Sequence, residues 1–221
     1  MSLKKASILI FIILLVDQLS KIYIKTHFQL HEDVSVFSWF KIAFVENDGM
    51  AWGTKLSDVF TFISDKSAKL ILTLFRIVAV TGIAFWLVDV TKKKKSKILI
   101  FAVAIIFAGA LGNILDSVFY GILFDDSNLQ VATFLPEGGG YANVFHGKVV
   151  DMLHFPMWQG VLPQWLPVVG GKSFSFFDPV FNVADVAIST GIGILIVFNK
   201  RAFSEIPKIE IPSSESHNNL T

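Results

Sequence analysis

The chain has 221 residues, of which 53% are hydrophobic and only 17% charged, and it contains 22 Phe. This apolar content is higher than in an ordinary soluble domain and predicts a membrane protein built as one domain. The net charge of +1 argues against nucleic acid as a partner, and the absence of Cys excludes disulfides, thiolate catalysis and lipidation of this chain on Cys.

Four apolar stretches approach the length of about 20 residues that a membrane-spanning helix needs. They are residues 6–24, 70–90, 98–117 and 181–198. If the four spans cross the membrane in alternating directions, the Lys and Arg residues that flank them all lie on the same side. The positive-inside rule then predicts that both termini are cytoplasmic and that two long segments lie outside. Because small residues of a cleavage site are lacking, we predict that the signal-like start is retained as the first span.

The first predicted helix carries an acid and a base on one face. Asp17 and Lys21 are four residues apart in the favourable order for an ion pair. The predicted topology places them toward the outer end of the span. A structural pair that fixes this helix is favoured over a catalytic role.

Residues 26–66 change periodicity and predict short strands. Val34 and Val36 alternate with polar residues, and Asn47-Asp48-Gly49 is a turn signal, so a hairpin in a small outer sheet is expected. On sequence physics alone, the run 47–53 is no more than that turn.

The second and third predicted helices contain features that bear on packing. Arg76 lies within an apolar stretch, where it either extends toward the outer headgroups or faces a partner in the bundle. Ala108 and Gly112 have the small-residue spacing that lets another helix approach closely. Asn113 and Asp116 follow at the outer end of the third helix.

The segment after residue 120 is rich in Gly and Pro and predicts a long irregular outer loop. His146 and His154 flank Asp151, but they lack the spacing of a known metal motif, so no metal is predicted. Residues 1–203 are expected to form the single membrane-embedded domain, and 204–221 a disordered cytoplasmic tail.

Two carboxylates stand out as candidates for chemistry. Asp185 and Asn182 are three residues apart at the start of the fourth predicted span and project toward the same side of that helix. A carboxylate is costly to desolvate at this position. Asp151 lies 34 residues upstream. If the fold brings the aspartates together, they can share a proton, one acting as acid and the other as base toward a water. The alternative is that Asp185 only favours a helix N-terminus and that Asp151 is a loop charge.

The ordered set of motifs resembles the lipoprotein signal peptidase (signal peptidase II) family over residues 8–200. The motifs are Asp17-Gln18-x-x-Lys21, Asn47-x-Gly49-x-Ala51-Trp52-Gly53, Gly112-Asn113-x-x-Asp116, Val150-Asp151 and Phe181-Asn182-x-Ala184-Asp185. The resemblance implies a mainly α membrane protein with four transmembrane helices, a small extracytoplasmic β-sheet and a long irregular outer loop. It implies an aspartic endopeptidase, without metal or cofactor, that removes signal peptides from diacylglyceryl-modified bacterial prolipoproteins.

The same resemblance assigns roles to residues and partners. The catalytic pair is Asp151 and Asp185, and the structural polar pair is Asp17 and Lys21. The residues that shape the site are Asn47, Gly49, Asn113, Asp116, Asn182 and Ala184. The implied protein is a monomer of the bacterial inner membrane with its site toward the outer leaflet. Its implied partners are lipidated prolipoproteins and membrane lipids, and its expected inhibitors are cyclic peptides of the globomycin type.

Three features depart from the family pattern. Trp52 replaces the usual Phe, and Ser117 replaces an Arg, for which Lys148 is a candidate substitute. The outer segment 122–147 is long, and its glycines predict a mobile stretch that is either a lid or a passive insertion. A proton-coupled channel or transporter subunit is the main alternative function, but no internal repeat supports it, and a purely structural scaffold leaves the polar motifs unexplained.

Overall fold

The computed structural model describes residues 1–48, 64–156, 158–167, 169–176 and 179–204. Its helices are α1 (Leu3–His27), α2 (Asp65–Lys92), α3 (Lys97–Leu115), α4 (Val183–Val197) and α5 (Asn199–Ala202). A π-helical segment, Asp116–Tyr120, and a single α-helical turn, Gly121–Leu123, continue α3. Its strands are β1 (Asp33–Phe37), β2 (Phe40–Asn47), β3 (Val149–His154), β4 (Trp158–Val161), β5 (Ser173–Phe176) and β6 (Val180–Phe181).

Among the described residues, three helical stretches are long and apolar enough to cross a membrane: α1, α2 and the continuous stretch Lys97–Leu123. The third is therefore longer than the predicted 98–117. The helix α4 has 15 residues and rises about 22 Å, less than the ~30 Å of a bilayer core. It is shorter than the predicted 181–198 because strand β6 occupies 180–181 and Asn182 caps the helix.

The central helix of the bundle is α3, which packs against α1, α2 and α4. Its small residues make this possible. A Cβ on Gly109 would lie 2.2 Å from the carbonyl oxygen of Ala184, and one on Gly112 would lie 2.6 Å from Asp17 Oδ2. The predicted close approach of another helix at this part of α3 is confirmed.

An antiparallel sheet in the order β1-β2-β3-β6 covers one end of the bundle, and β4 pairs with β5 separately. The hairpin joining β1 and β2 turns at Ser38 and Trp39, so the predicted turn at 47–49 is wrong for Asn47. Asn47 is the last residue of β2 and pairs with Val149 of β3. Long-range strand pairing here outweighs the local turn propensity of the Asn-Asp-Gly sequence.

The outer segments are more ordered than predicted. Asp151 lies on a strand, opposite Val45 of β2, and not in a loop. The segment that follows α3 is also packed: Phe124 is fully buried and its carbonyl accepts a hydrogen bond from the amide of Tyr141 at 2.9 Å. Burying the aromatic ring of Phe124 offsets part of the entropy of ordering the chain at this point, and the mobility of 122–147 stays a prediction.

Candidate active site

Asn182 brings Asp151 and Asp185 together. Its side-chain Nδ2 donates to Asp151 Oδ1 at 2.7 Å, while its Oδ1 accepts from the amide of Asp185 at 3.0 Å. The Asp185 carboxylate in turn accepts from the Asn182 amide at 3.2 Å, completing a capping box at the start of α4. Strand β3 and helix α4, which follows it in the chain, therefore meet through one amide side chain.

Asp151 is almost completely buried, with 4% of its surface exposed. Its second oxygen, Oδ2, accepts from Asn47 Nδ2 at 3.1 Å. Burial, with a further contribution from the charge of Asp185, raises the pKa of Asp151 to about 7, although the two Asn donors act in the opposite direction. Near neutral pH this carboxyl group is therefore able to hold a proton.

Asp185 is more open than Asp151 and also accepts two hydrogen bonds. It is partly buried in the first turn of α4, where the amide groups of the helix N-terminus favour negative charge. Asn113 Nδ2 donates to Asp185 Oδ1 at 2.8 Å. The Asn113 Oδ1 accepts from Lys21 Nζ at 2.9 Å, which links Asp185 to the charges of α1.

A buried cluster of charged side chains lies next to the pair Asp151 and Asp185. Lys21 Nζ lies 2.9 Å from Asp17 Oδ2 and 2.8 Å from Asp116 Oδ2, and all three side chains are buried. The other Asp17 oxygen accepts from the amide of Ala184 at 2.9 Å. The predicted Asp17–Lys21 pair is present, and it includes a second carboxylate from the end of α3.

Asp116 does not contact either candidate catalytic carboxylate directly. It accepts from the amide of Val150, the neighbour of Asp151, at 3.3 Å. It therefore supports the strand that carries the catalytic candidate. Sequence reasoning did not give Gln18 a role, yet its Nε2 donates to Asp17 Oδ2 at 3.0 Å and to Asp116 Oδ1 at 2.9 Å. The sequence contains an indication of this role, because a side-chain amide such as that of Gln18 in an apolar helix needs a hydrogen-bond partner.

A second buried cluster was missed altogether. The ammonium of Lys25, at the end of α1, forms an ion pair with Glu46 of β2 and donates to Ser127 Oγ at 2.8 Å. Lys148 Nζ lies 3.0 Å from the same Glu46. Although burial opposes it, the charges of both lysines hold the pKa of Glu46 below its ordinary value. The ammonium of Lys148 thus pairs with Glu46, and its suggested substitution for the family Arg stays a prediction.

Two further sequence candidates have different outcomes. Arg76 is half-buried on the face of α2 that carries the buried Thr73 and Val80, so it faces the bundle. The charges of Asp185 and Asp151 act on its guanidinium there. Gly49 lies outside the described residues, as does the rest of its motif, 50–53.

Within the described part of the chain, no group of three or more His, Asp or Glu side chains is placed to hold a metal ion.

The geometry supports chemistry by a pair of carboxylic groups that share one proton. One group is buried and favours the neutral acid, whereas the other is partly exposed at a helix N-terminus. Environments that separate two carboxyl groups in this way define an acid and a base. Such a pair can activate a water molecule and protonate a carbonyl oxygen.

Comparison with known proteins identifies one family. Residues 9–200 match the family model described as signal peptidase (SPase) II. The chain is 45% identical over 203 residues to the lipoprotein signal peptidase of Porphyromonas gingivalis strain ATCC 33277, covering 91% of this chain and 85% of that protein. It is 34% identical over 204 residues to the lipoprotein signal peptidase of Amoebophilus asiaticus strain 5a2, covering 90% and 79% respectively.

A solved structure shares the fold. It is described as a bacterial membrane enzyme determined by the in meso method at 2.3 Å resolution. The TM-score is 0.55 at 21% identity, and the alignment covers 94% of this chain and 96% of the other.

Proposed function

The chain belongs to the signal peptidase II family and removes signal peptides from prolipoproteins, and we propose that it does so as an aspartic endopeptidase whose catalytic pair is Asp151 and Asp185. The observation that carries this proposal is the bridge through Asn182, which contacts both aspartates. A purely structural capping box explains only the Asp185 half of this arrangement. It does not explain why the buried carboxyl group of Asp151 accepts a hydrogen bond from the same Asn182 side chain.

The two carboxyl groups take different roles. Asp185 is the base that accepts a proton from the attacking water, and Asp151 is the acid that donates its proton to the scissile carbonyl oxygen. When the tetrahedral intermediate collapses, Asp185 gives its proton to the leaving amine, Asp151 takes a proton back from a hydroxyl of the intermediate, and the C–N bond breaks. Burial of Asp151 and the Asn113 donor on Asp185 support this division of roles.

The supporting residues fix this pair in place. Asn47 and Asn182 orient Asp151, and Asn113 orients Asp185. The cluster of Asp17, Lys21 and Asp116 holds α1, α3 and the start of α4 together, and we propose that its role is positional. Gly49 and Ala184 are proposed to shape the site on the family pattern.

The protein is a multi-pass membrane protein, for which we propose four crossings with both termini in the cytoplasm and the site toward the outer leaflet. The outer faces of α1 and α2 support contact with lipid, since Phe11, Phe75 and Phe85 are between 64% and 73% exposed. Because α4 is short and Asp185 lies in its first turn, we propose that the aspartates lie near one bilayer surface. A diacylglyceryl-modified Cys reaches a site at this depth with its acyl chains in lipid, so we propose lipidated prolipoprotein as the substrate. We also expect a monomer that is inhibited by cyclic peptides of the globomycin type.

The test is cleavage of a diacylglyceryl-modified prolipoprotein by the purified protein in detergent, with the unmodified prolipoprotein as a control substrate. Asp151→Asn and Asp185→Asn should each abolish cleavage, and the double variant should be little worse, because members of a catalytic unit are not additive. Asp33→Asn is the matched control, since that exposed carboxylate pairs with Lys41 on the hairpin. Retained activity in either single variant contradicts the assignment, and loss of cleavage in EDTA that a divalent ion restores contradicts the metal-free mechanism.

A further inference from the structure

Arg76 lies on the face of α2 that packs against the rest of the protein. Thr73, one turn before it, is buried and its hydroxyl donates to the carbonyl of Phe145 at 3.1 Å. Val80, one turn after it, is buried against Ile114 of α3. Residues three and four apart share one helix face, so the Arg76 side chain leaves α2 toward the bundle at the level of the site.

The charges around the catalytic pair show what this guanidinium contributes. The negative groups of α4 and β3 are Asp185 and Asp151, and both act on Arg76, Asp185 the more strongly. From α1 and α3, Asp17 and Asp116 face the same region, but Lys21 pairs with both of them.

The other lysines close to the site in the described part of the chain are engaged elsewhere. Lys25 and Lys148 pair with Glu46 of β2. Lys69 Nζ donates to the carbonyl of Asp48 at 2.7 Å. None of these three ammonium groups contacts the aspartate pair. Lys21 is linked to Asp185 through Asn113, and its charge also acts on Asp151. The positive charge that acts on the pair from α2 is that of Arg76.

We propose that Arg76 is a positioning residue that holds Asp185 as the ionised member of the pair, an inference that rests on the proposed catalytic roles of the two aspartates. A nearby cation stabilises a pair carrying one negative charge at the membrane surface, and a guanidinium keeps its charge at every working pH. The cation thus comes from α2, whereas Ser117, at the position where the family pattern has Arg, donates only to the carbonyl of Asn113 at 3.0 Å.

The pH profile of kcat/KM tests this. Arg76→Gln should move the acidic limb to higher pH by about one to two units, the shift expected when one charge roughly 6–12 Å away is lost at an effective dielectric constant of about 20. The alkaline limb should move less, because Asp151 acts on Arg76 more weakly than Asp185 does. Arg76→Lys keeps the charge and should leave the acidic limb near its original pH. Arg201→Gln removes the only other Arg of the chain, on the exposed helix α5, and should change nothing.

A thiol provides a second measurement in a single folded preparation. The chain has no Cys, so Arg76→Cys introduces a unique site. A methanethiosulfonate reagent forms a mixed disulfide with the thiolate and releases sulfinate. Aminoethyl methanethiosulfonate, which adds a cation, should return the acidic limb toward its original position. Methyl methanethiosulfonate, which adds an uncharged group, should not.

The outcomes separate this inference from the proposed function. If Arg76→Gln lowers kcat/KM equally at all pH values, or raises KM with the limbs unmoved, Arg76 does not act through the charge of Asp185. Arg76→Lys shifting the limb as far as Arg76→Gln, or both reagents restoring activity equally, overturns it in the same way. If instead Asp151→Asn or Asp185→Asn retains cleavage, the catalytic assignment itself fails, whatever Arg76 does.

Discussion

The unusual state of Asp151 leads to a prediction about stability, because its pKa is raised from 3.8 in the unfolded chain to about 7 in the folded protein. The folded protein then binds this proton more tightly than the unfolded chain does. The stability contributed by the neutral carboxyl group is complete below the unfolded pKa and is lost as pH rises through the folded pKa. A difference of about three pKa units corresponds to an upper limit of about 4 kcal/mol lost at alkaline pH.

Asp151→Asn removes this titration but has a cost of its own. Asp151 accepts from both Asn47 and Asn182, and an amide at this position offers only one oxygen to these two donors. Leaving one buried donor without a partner costs about 1–3 kcal/mol. Relative to the parent protein, Asp151→Asn should gain about 3 kcal/mol of stability between pH 5 and pH 9, because the parent loses about two pKa units of its proton-linked stability over this range. At pH 9 the variant should be the more stable by about 1–3 kcal/mol.

The assay is unfolding of both purified proteins in one detergent at pH 5, 7 and 9, followed by circular dichroism and by Trp fluorescence. Asp33→Asn is the control, because Asp33 is exposed and Lys41 holds its pKa below the ordinary value. That variant should show no gain at alkaline pH. If the parent and Asp151→Asn keep a constant stability difference from pH 5 to 9, Asp151 does not titrate in this range and is not the protonated acid of the pair.

Three other predictions follow from the packing around the site. Lys21→Met should lower the free energy of unfolding by about 3–5 kcal/mol by leaving two buried carboxylates without their cation. Lys93→Met, at an exposed ion pair, should cost at most about 1 kcal/mol, and equal effects in a denaturant titration would contradict the buried-cluster argument. Asn182→Ala should lose both turnover and about 1 kcal/mol of helix capping, whereas Asn182→Ser should lose turnover but keep the cap; turnover retained by either variant speaks against the Asn182 bridge. Replacing residues 126–144 with a Gly/Ser linker should lower the unfolding temperature as well as turnover, because Ser127 and Tyr141 pack around Lys25; unchanged unfolding would show that this packing contributes nothing.

The features that the sequence determined are those set by local periodicity and composition. The apolar content placed the protein in a membrane, and the spacing of Asp17 and Lys21 put them on one helix face, where the structure has them paired. Asn182 and Asp185 also follow from local spacing, because a capping box needs only four consecutive residues. The small residues of α3 likewise indicated a close helix contact before any partner was known.

The tertiary structure decided which distant groups meet. The Asn-Asp-Gly signal suggested a turn, but pairing with β3 keeps Asn47 in the sheet, where its amide reaches Asp151. The ion pair of Glu46 with Lys25 joins a strand to a helix. No periodicity encodes such a contact, because it depends on the register of a whole sheet against the bundle. The sequence allowed two interpretations of Arg76, because a long cationic side chain can extend toward the lipid headgroups or face a partner inside the bundle. Only the packing of α2 against α3 selected the second.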